Sequence, residues 1–233
     1  TWPDGLASLS NKLRDFIGFE RQSALVPAPT DKPVLMSGTA FKVTEQPDKV
    51  EILIGTVENG RFHTIQVNAK KVISTMPLFV ASRVITNIKN YGFDPKAHMP
   101  VYAPWMVSNF IFNQYPQEQK GTQLAWDNVV YEGKGLGYVV STHQLIRAAK
   151  PERTAFTAYY ALDEDEPETI RKWLAIAEDT ELVTKAASDL QQAYPKDLWR
   201  HLQQIDITLR AHAMHAPTPG YLSNEGTKAL QQH

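Results

Sequence analysis

The spacing of hydrophobic residues divides the chain into a helical opening, a run of strands and a longer region that contains both. Near the start, Leu6, Leu9, Leu13, Phe16 and Ile17 fall on one face of a helix, which predicts a short amphipathic helix. Residues 21–33 contain three prolines and no repeating period. They predict an irregular connection.

From residue 34 the hydrophobic pattern becomes that of short strands, at 34–37, 39–45, 50–58 and 61–67. The last two of these runs are joined by Asn59 and Gly60. Asn-Gly favours a type I′ hairpin turn because both central positions of that turn need a positive φ. The runs and their turns predict an antiparallel β-meander.

The rest of the chain mixes strands and helices. KVIST at 71–75 predicts a strand that ends before Pro77, and a short helix comes after it. The further predicted elements are strands at 102–113, 123–131, 136–142 and 154–161, and helices at 168–177 and 181–193. The fold class is therefore α+β, an antiparallel β-meander followed by a mixed β-sheet covered by helices.

Composition excludes several classes of function. Lys and Arg total 24 against 25 Asp and Glu, and this net charge of -1 provides no field for nucleic acid or an anionic membrane. Cys is absent, so redox chemistry must come from a cofactor. No apolar run approaches the roughly 20 residues that span a bilayer. We expect a soluble protein, cytoplasmic or exported, with no nucleic-acid partner and no membrane span.

Three polar motifs are explained better by structure than by chemistry. GKGLG at 133–137 precedes a strand, whereas a dinucleotide-binding glycine motif follows one, so close packing is favoured over a phosphate site. His212 and His215 could share a metal on a helix, but Pro217 argues against a helix. The acidic run at 163–168 suits a helix N-terminus. We therefore predict no metal site.

Aromatic and polar residues alternate on the strands of the second half, and they are explained either by core packing or by a ligand pocket. Aromatic walls suit small-molecule pockets, and buried polar groups need partners. The candidate pocket residues are Trp105, Asn109, Trp126, Asn128, Tyr138 and His143.

The segment AKKVISTMP at 69–77, placed after the meander, resembles the flavin-dependent amine oxidase superfamily, which includes monoamine oxidases and protoporphyrinogen oxidase. The match rests on Ala69, Val72, Ile73 and Pro77 and on the order of the elements predicted after Pro77. This resemblance implies a longer bacterial flavoprotein of which the chain is a middle fragment. The FAD dinucleotide motif would precede residue 1, and a second flavin-contacting segment would come after residue 233.

The resemblance also implies a division of the chain. Residues 1–80 would be an entry helix and meander of the FAD-binding domain, 81–216 a substrate-binding domain, and 217–233 a return segment. The remaining FAD-binding segments of the parent chain would be partners, together with a small-molecule substrate. We expect that the chain alone does not retain FAD.

Site residues carry over one by one from the family. Thr39, Ala40 and Phe41 match a strand whose backbone lies against FAD, and Pro77 matches the turn out of the flavin domain. Asn109 takes the place of the family lysine near the flavin ring, so amine oxidation is not implied.

The function that the resemblance implies is that of the substrate-binding portion of an FAD-dependent oxidoreductase, which transfers a hydride to flavin. Asn109 and His143 are its candidate catalytic residues, and Trp105, Trp126, Tyr138 and Asn128 its candidate pocket. The alternative is a stand-alone α+β ligand-binding or scaffolding domain without redox activity.

Overall fold

The computed structural model describes residues 6–118, 120–144, 148–149 and 151–232. These form two compact units, one within residues 100–218 and the other within the described residues before 100 and after 218. The functional division predicted at residues 80 and 216 stays a prediction.

The described residues form α-helices and β-strands in about equal measure. None of these helices is long and apolar enough to cross a membrane. The helices are α1 (Leu6–Ile17), α2 (Leu78–Val84), α3 (Pro95–His98), α4 (Pro167–Leu174), α5 (Asp179–Ala193), α6 (Leu198–His201) and α7 (Glu225–Leu230). The strands are β1 (Glu20–Arg21), β2 (Val34–Leu35), β3 (Thr39–Glu45), β4 (Val50–Glu58), β5 (Arg61–Ala69), β6 (Tyr102–Phe112), β7 (Asp127–Asn128), β8 (Tyr138–Val140), β9 (Thr154–Ala161) and β10 (Leu202–His215).

The predicted meander is confirmed as a three-stranded antiparallel sheet in the order β3-β4-β5. Its second hairpin turns at Asn59 and Gly60, whose φ values are 51° and 72°. Both angles are positive, as a type I′ turn requires, and Asn and Gly tolerate them with little strain. The predicted helix near the start is also confirmed, as α1.

The prediction of a strand at 71–75 is wrong, because this segment has no regular structure. A strand is defined by the ladder it forms with a neighbour, and no described strand pairs with this segment. Its hydrophobic residues therefore stay exposed, Ile73 at 90% and Val72 at 41%.

The unit within residues 100–218 contains a five-stranded sheet in the order β10-β6-β9-β8-β7. The α+β class is confirmed, but the sheet expected to be mixed is antiparallel in every described pair. A strand that follows helices commonly returns parallel to the strand before them. Here β10 follows α4, α5 and α6 and runs in the same direction as β9, since both are antiparallel to β6. It pairs with β6 rather than with β9, so no parallel pair forms.

Other strand boundaries differ from the prediction. The strand expected at 123–131 is reduced to β7, and the strand expected at 136–142 ends at Val140, where a 3-10 turn, Ser141–Gln144, begins. The predicted helices at 168–177 and 181–193 are confirmed as α4 and α5. A capping box between Glu178 and Glu181 starts α5.

One face of the five-stranded sheet packs against α4 and α5 to form the main hydrophobic core. Alternate residues of β6 and β9 point into it, since side chains on a strand alternate between faces. Its fully buried residues include Met106, Phe110, Phe112, Phe156, Leu162, Leu190 and Leu198. This burial fixes the register of the sheet, because a shift by one residue would move the whole hydrophobic set out of the core.

Two tyrosines carry polar atoms into this core. The hydroxyl oxygens of Tyr138 and Tyr194 are hydrogen-bonded at 2.8 Å, and the Tyr194 hydroxyl donates to Glu118 Oε1 at 2.7 Å. Burial, reinforced by the hydrogen bonds with Tyr138 and Glu118, raises the pKa of Tyr194 far above its ordinary value of 10.0. Burial also raises the pKa of Tyr138.

We expect stability to fall as pH rises above about 10. In that range the unfolded tyrosines lose their protons while the folded ones keep them, so the unfolded state binds fewer protons and the free energy of unfolding decreases with pH. Urea unfolding from pH 7 to 11 measures this slope, and Tyr194→Phe should make it shallower. Tyr131→Phe, at a side chain 85% exposed, should follow the unsubstituted protein. An unchanged slope in Tyr194→Phe would contradict the attribution of this pH dependence to the raised pKa of Tyr194.

Candidate functional site

The second face of the five-stranded sheet, opposite the core, is the candidate functional site. On β6 it carries Trp105, Val107, Asn109 and Ile111, which are half-buried and alternate with the buried core residues. Within this unit, α4 and α5 supply the core side of the sheet. We therefore take the face opposite these helices as the candidate binding surface.

Strand register places a row of polar residues across this face. Asn109 lies opposite Asp206 of β10 on one side and Thr157 of β9 on the other. Thr157 in turn lies opposite Val139, and Val139 opposite Asp127. Directly paired residues of antiparallel strands share a face. The polar row is thus Asp206, Asn109, Thr157 and, beyond Val139, Asp127.

Hydrogen bonds order the centre of this row. The Thr157 hydroxyl donates to Asn109 Oδ1 at 2.8 Å, and Ser141 Oγ lies 3.2 Å from Thr157 Oγ1. Because Oδ1 of Asn109 is the acceptor, its amide nitrogen keeps two donors that no described residue accepts. Asn109 can therefore donate hydrogen bonds to a ligand on the second face.

Apolar side chains flank the polar row on both sides. Val107 and Tyr159 form the next row in one direction, and Ile111 and Ala155 form it in the other. Successive rows on one face lie about 7 Å apart along a strand. A few polar groups on a mostly apolar wall are typical of a small-molecule site.

Charged groups lie at the exposed margin of the face. Asp206 accepts from Gln204 Nε2 at 2.7 Å, and Arg210 lies opposite Trp105. Asp206 and Arg210 are exposed, whereas Trp105 is half-buried. Ligand charge of either sign would thus be met at the β10 edge rather than at the centre of the row.

The structure brings some predicted site residues together and separates others. Asn109 and Trp105 share the second face, whereas Tyr138 is 5% exposed, stacks on Phe156 and lies on the core face. Asn128 bonds to loop backbone, donating to the carbonyl of Ala125 at 3.0 Å.

The remaining two pocket candidates are solvent-exposed. Trp126 lies just before β7 with 53% of its surface exposed. His143 lies in the 3-10 turn after β8, and its side chain is exposed. The structure does not bring either residue into contact with Asn109.

The four residues carried over as cofactor contacts lie in the other unit. Thr39, Ala40 and Phe41 are on β3, an edge strand of the meander, and a register shift between Ala40 and Lys42 leaves Phe41 out of the ladder. Pro77 precedes α2 as its N-cap. An edge strand has main-chain groups available on one side. The cofactor contact that the resemblance implies for these four residues stays a prediction.

The motifs interpreted as structural have close-packing contacts. Gly137 has a φ of 91°, and a Cβ there would lie 2.0 Å from the carbonyl oxygen of Asn128.

The histidines and the acidic run also have contacts within the protein. The ring centroids of His212 and His215 lie 6.3 and 5.7 Å from the ring centroid of Tyr102. In the acidic run, Glu164 accepts from the Tyr160 hydroxyl and forms an ion pair with Lys185. Among the described residues, no cluster of three or more His, Cys, Asp or Glu side chains could hold a metal ion.

Sequence reasoning missed Thr157, Ser141 and Asp206 as site residues. The alternation in TAFTAYYA predicts that Thr157 lies on one face of a strand, but it does not predict which residue of a neighbouring strand lies opposite. Asp206 was missed because the strand itself was missed, although Ile205 and Ile207 flank it with a period of two.

Comparison with known proteins gives a likeness of fold only. No protein-family model and no curated protein matches the chain. The crystal structure of a reduced UDP-galactopyranose mutase matches 88% of this chain and 40% of its own, with a TM-score of 0.56 and 15% identity. A putrescine oxidase variant redesigned in its cofactor binding matches 74% of this chain and 38% of its own, with a TM-score of 0.46 and 11% identity.

The chain thus spans about two fifths of the length of each of these two proteins. The likeness to the mutase places the chain in the fold of part of that enzyme. The likeness to putrescine oxidase is too distant to support an argument.

Proposed function

We propose that this chain is the substrate-binding portion of a longer FAD-dependent oxidoreductase, and that the second face of its five-stranded sheet contacts the substrate. The observation that carries the proposal is the polar row centred on Asn109, set between apolar rows on the sheet face opposite α4 and α5. The fold is shared with part of a UDP-galactopyranose mutase solved in a reduced state, which supports a redox-active group in the longer protein.

Asn109 would orient the substrate. Thr157 holds its Oδ1, so rotation of the amide would break a 2.8 Å hydrogen bond. The amide nitrogen then donates to an oxygen or a neutral nitrogen of the substrate, next to the carbon that is oxidised. Positioning of this kind is the protein's contribution where a cofactor carries the chemistry.

The flanking apolar side chains would exclude water from the reacting carbon. Val107, Tyr159 and Ile111 are already half-buried, and the Tyr159 hydroxyl is the one group among these three side chains that hydrogen-bonds water. Removing water strengthens the Asn109 hydrogen bond, because the local dielectric falls. The preferred substrate is therefore a small organic molecule with one hydrogen-bond acceptor beside an apolar body.

FAD, when bound, would supply the two-electron acceptor for the hydride that leaves the substrate carbon. The edge strand β3, with Thr39, Ala40 and Phe41, provides main-chain groups that suit a cofactor contact. A backbone contact of this kind does not depend on side-chain identity. It is therefore compatible with the low sequence identity to the mutase.

The test uses the full-length protein. We expect purified protein to show the visible absorption bands of oxidised flavin, and these bands to bleach anaerobically with a suitable member of a panel of small amines and alcohols. Asn109→Ala should slow bleaching about tenfold, the value of one hydrogen bond of about 1.4 kcal/mol. Stopped-flow absorbance measures the rate.

Asn113→Ala is the matched control, since Asn113 is exposed and comes directly after the same strand. Its bleaching rate should equal that of the unsubstituted protein. A full-length protein that is colourless and binds no added FAD would contradict the proposal and favour a ligand-binding domain without redox activity.

A further inference from the structure

A small cavity lies between α5 and the core side of the five-stranded sheet, directly behind the polar row. Its volume is about 10 Å³, and its lining includes Ser108, Gly135, Ser188 and Asp189. Ser108 precedes Asn109 on β6, so it points to the opposite side of the same strand. The cavity is therefore separate from the second face of the sheet.

Three buried polar oxygens border this cavity without a hydrogen-bond partner among the described residues. They are Ser108 Oγ, Ser188 Oγ and Asp189 Oδ2. Ser108 is 1% exposed and Asp189 is 5% exposed. A buried polar atom without a partner costs about 1–3 kcal/mol, so three at one place indicate that they share a partner.

The other carboxylate oxygen of Asp189 fixes the direction of Oδ2. Asp189 Oδ1 accepts from the backbone N–H of Gly135 at 3.1 Å. A Cβ on Gly135 would lie 2.6 Å from Asp189 Oδ2, so this glycine is needed for the close approach. The carboxylate is held by the glycine loop and directed at the cavity.

We propose that this cavity is a binding site for one structural water molecule, which bridges Ser108, Ser188 and Asp189. A volume of about 10 Å³ suits a single water, and buried waters make about three hydrogen bonds. The water donates to Asp189 Oδ2 and to one serine oxygen, and it accepts from the hydroxyl of the other serine. Each of the three oxygens gains one hydrogen bond in this arrangement, and α5 is tied to β6.

A divalent cation fits the site less well. Calcium takes six to eight oxygen ligands and magnesium takes six, whereas the unpartnered side-chain oxygens here number three. Only one of them is a carboxylate. Three polar partners match the number of hydrogen bonds that a buried water usually makes.

A crystal structure of the full-length protein at high resolution is the direct test. We expect one density peak within hydrogen-bond distance, about 2.6–3.2 Å, of the three oxygens. A site without density would overturn the proposal. So would a peak with metal-like contacts of about 2.0–2.5 Å to five or more oxygens.

A double-mutant cycle tests the bridge in solution. Ser108→Ala and Ser188→Ala should each lower the folded-to-unfolded ratio about tenfold, and the double variant should lose well under the hundredfold product because both act on one water. Ser108→Ala combined with Thr184→Ala is the control, since Thr184 is exposed on α5 and donates to Thr180. Those two losses should multiply. A multiplicative loss for the serine pair would overturn the bridge.

Asp189→Asn separates water from cation in the same assay. The amide keeps an oxygen for the Gly135 N–H and offers a donor to a water that can reorient, so we expect a loss of no more than about fivefold. Asp189→Ala removes both contacts and should lose far more. A loss for Asp189→Asn as large as a large loss for Asp189→Ala would show that the negative charge is required, and would overturn the proposal in favour of a bound cation. Losses under about twofold for both variants would also overturn the bridge.

Discussion

Gly137→Ala is expected to destabilise the protein by about 4 kcal/mol, because two separate costs fall on one residue. The φ of 91° is one that residues with a Cβ avoid, and the added methyl would lie 2.0 Å from the carbonyl oxygen of Asn128 and 3.1 Å from the Cα of Val129. Both neighbours are backbone, so no side-chain rotation relieves the clash. Urea unfolding of the variant measures the loss.

Gly121→Ala is a matched control for Gly137→Ala. Its φ is 89°, and nothing lies within 4 Å of the position a Cβ would take. It should lose only the backbone cost, about 1 kcal/mol. The difference between the two variants isolates the contact between the glycine loop and β7. Equal losses would contradict the close approach at Asn128.

The glycine run at 133–137 shows which features of the fold can be predicted from sequence and which cannot. Its position before a strand excluded a dinucleotide-binding motif and favoured close packing, and the structure places Gly137 against Asn128 and Gly135 against Asp189. The partners themselves could not be predicted. Asp189 is 54 residues away from Gly135 in sequence, and only the packing of α5 on the sheet brings the two together.

Local signals predicted the meander well because its turns are encoded by adjacent residues. Asn59 and Gly60 fix a turn, and the turn fixes the register of β4 and β5. The strand expected at 71–75 had equally good local signals but no partner in the described chain. Strand formation depends on that partner, and a single segment does not reveal it.

The candidate site lies between these two cases. Alternation in β6 predicts that Trp105 and Asn109 share a face, and they do. The neighbours of Asn109 come from β9 and β10, and that pairing is set by the core rather than by residues near Asn109. Val139 is on the second face, whereas its neighbour Tyr138 faces the core. A one-residue difference along a strand thus decides whether an aromatic side chain lines a site or a core.

Phe156→Ala is expected to cost about 4 kcal/mol, because its ring is the centre of the aromatic part of the core. The side chain is fully buried, and its ring centroid lies 5.1 Å from that of Phe112, 5.3 Å from Tyr138 and 5.9 Å from Tyr194. Truncation would leave a cavity that three rings held by separate elements cannot easily fill. Thermal and urea unfolding should both report the loss. Phe62→Ala, at a ring 62% exposed, is the control and should cost under about 1 kcal/mol. A loss for Phe156→Ala as small as that of the control would mean that this core repacks, and that the register of β9 does not depend on its central ring.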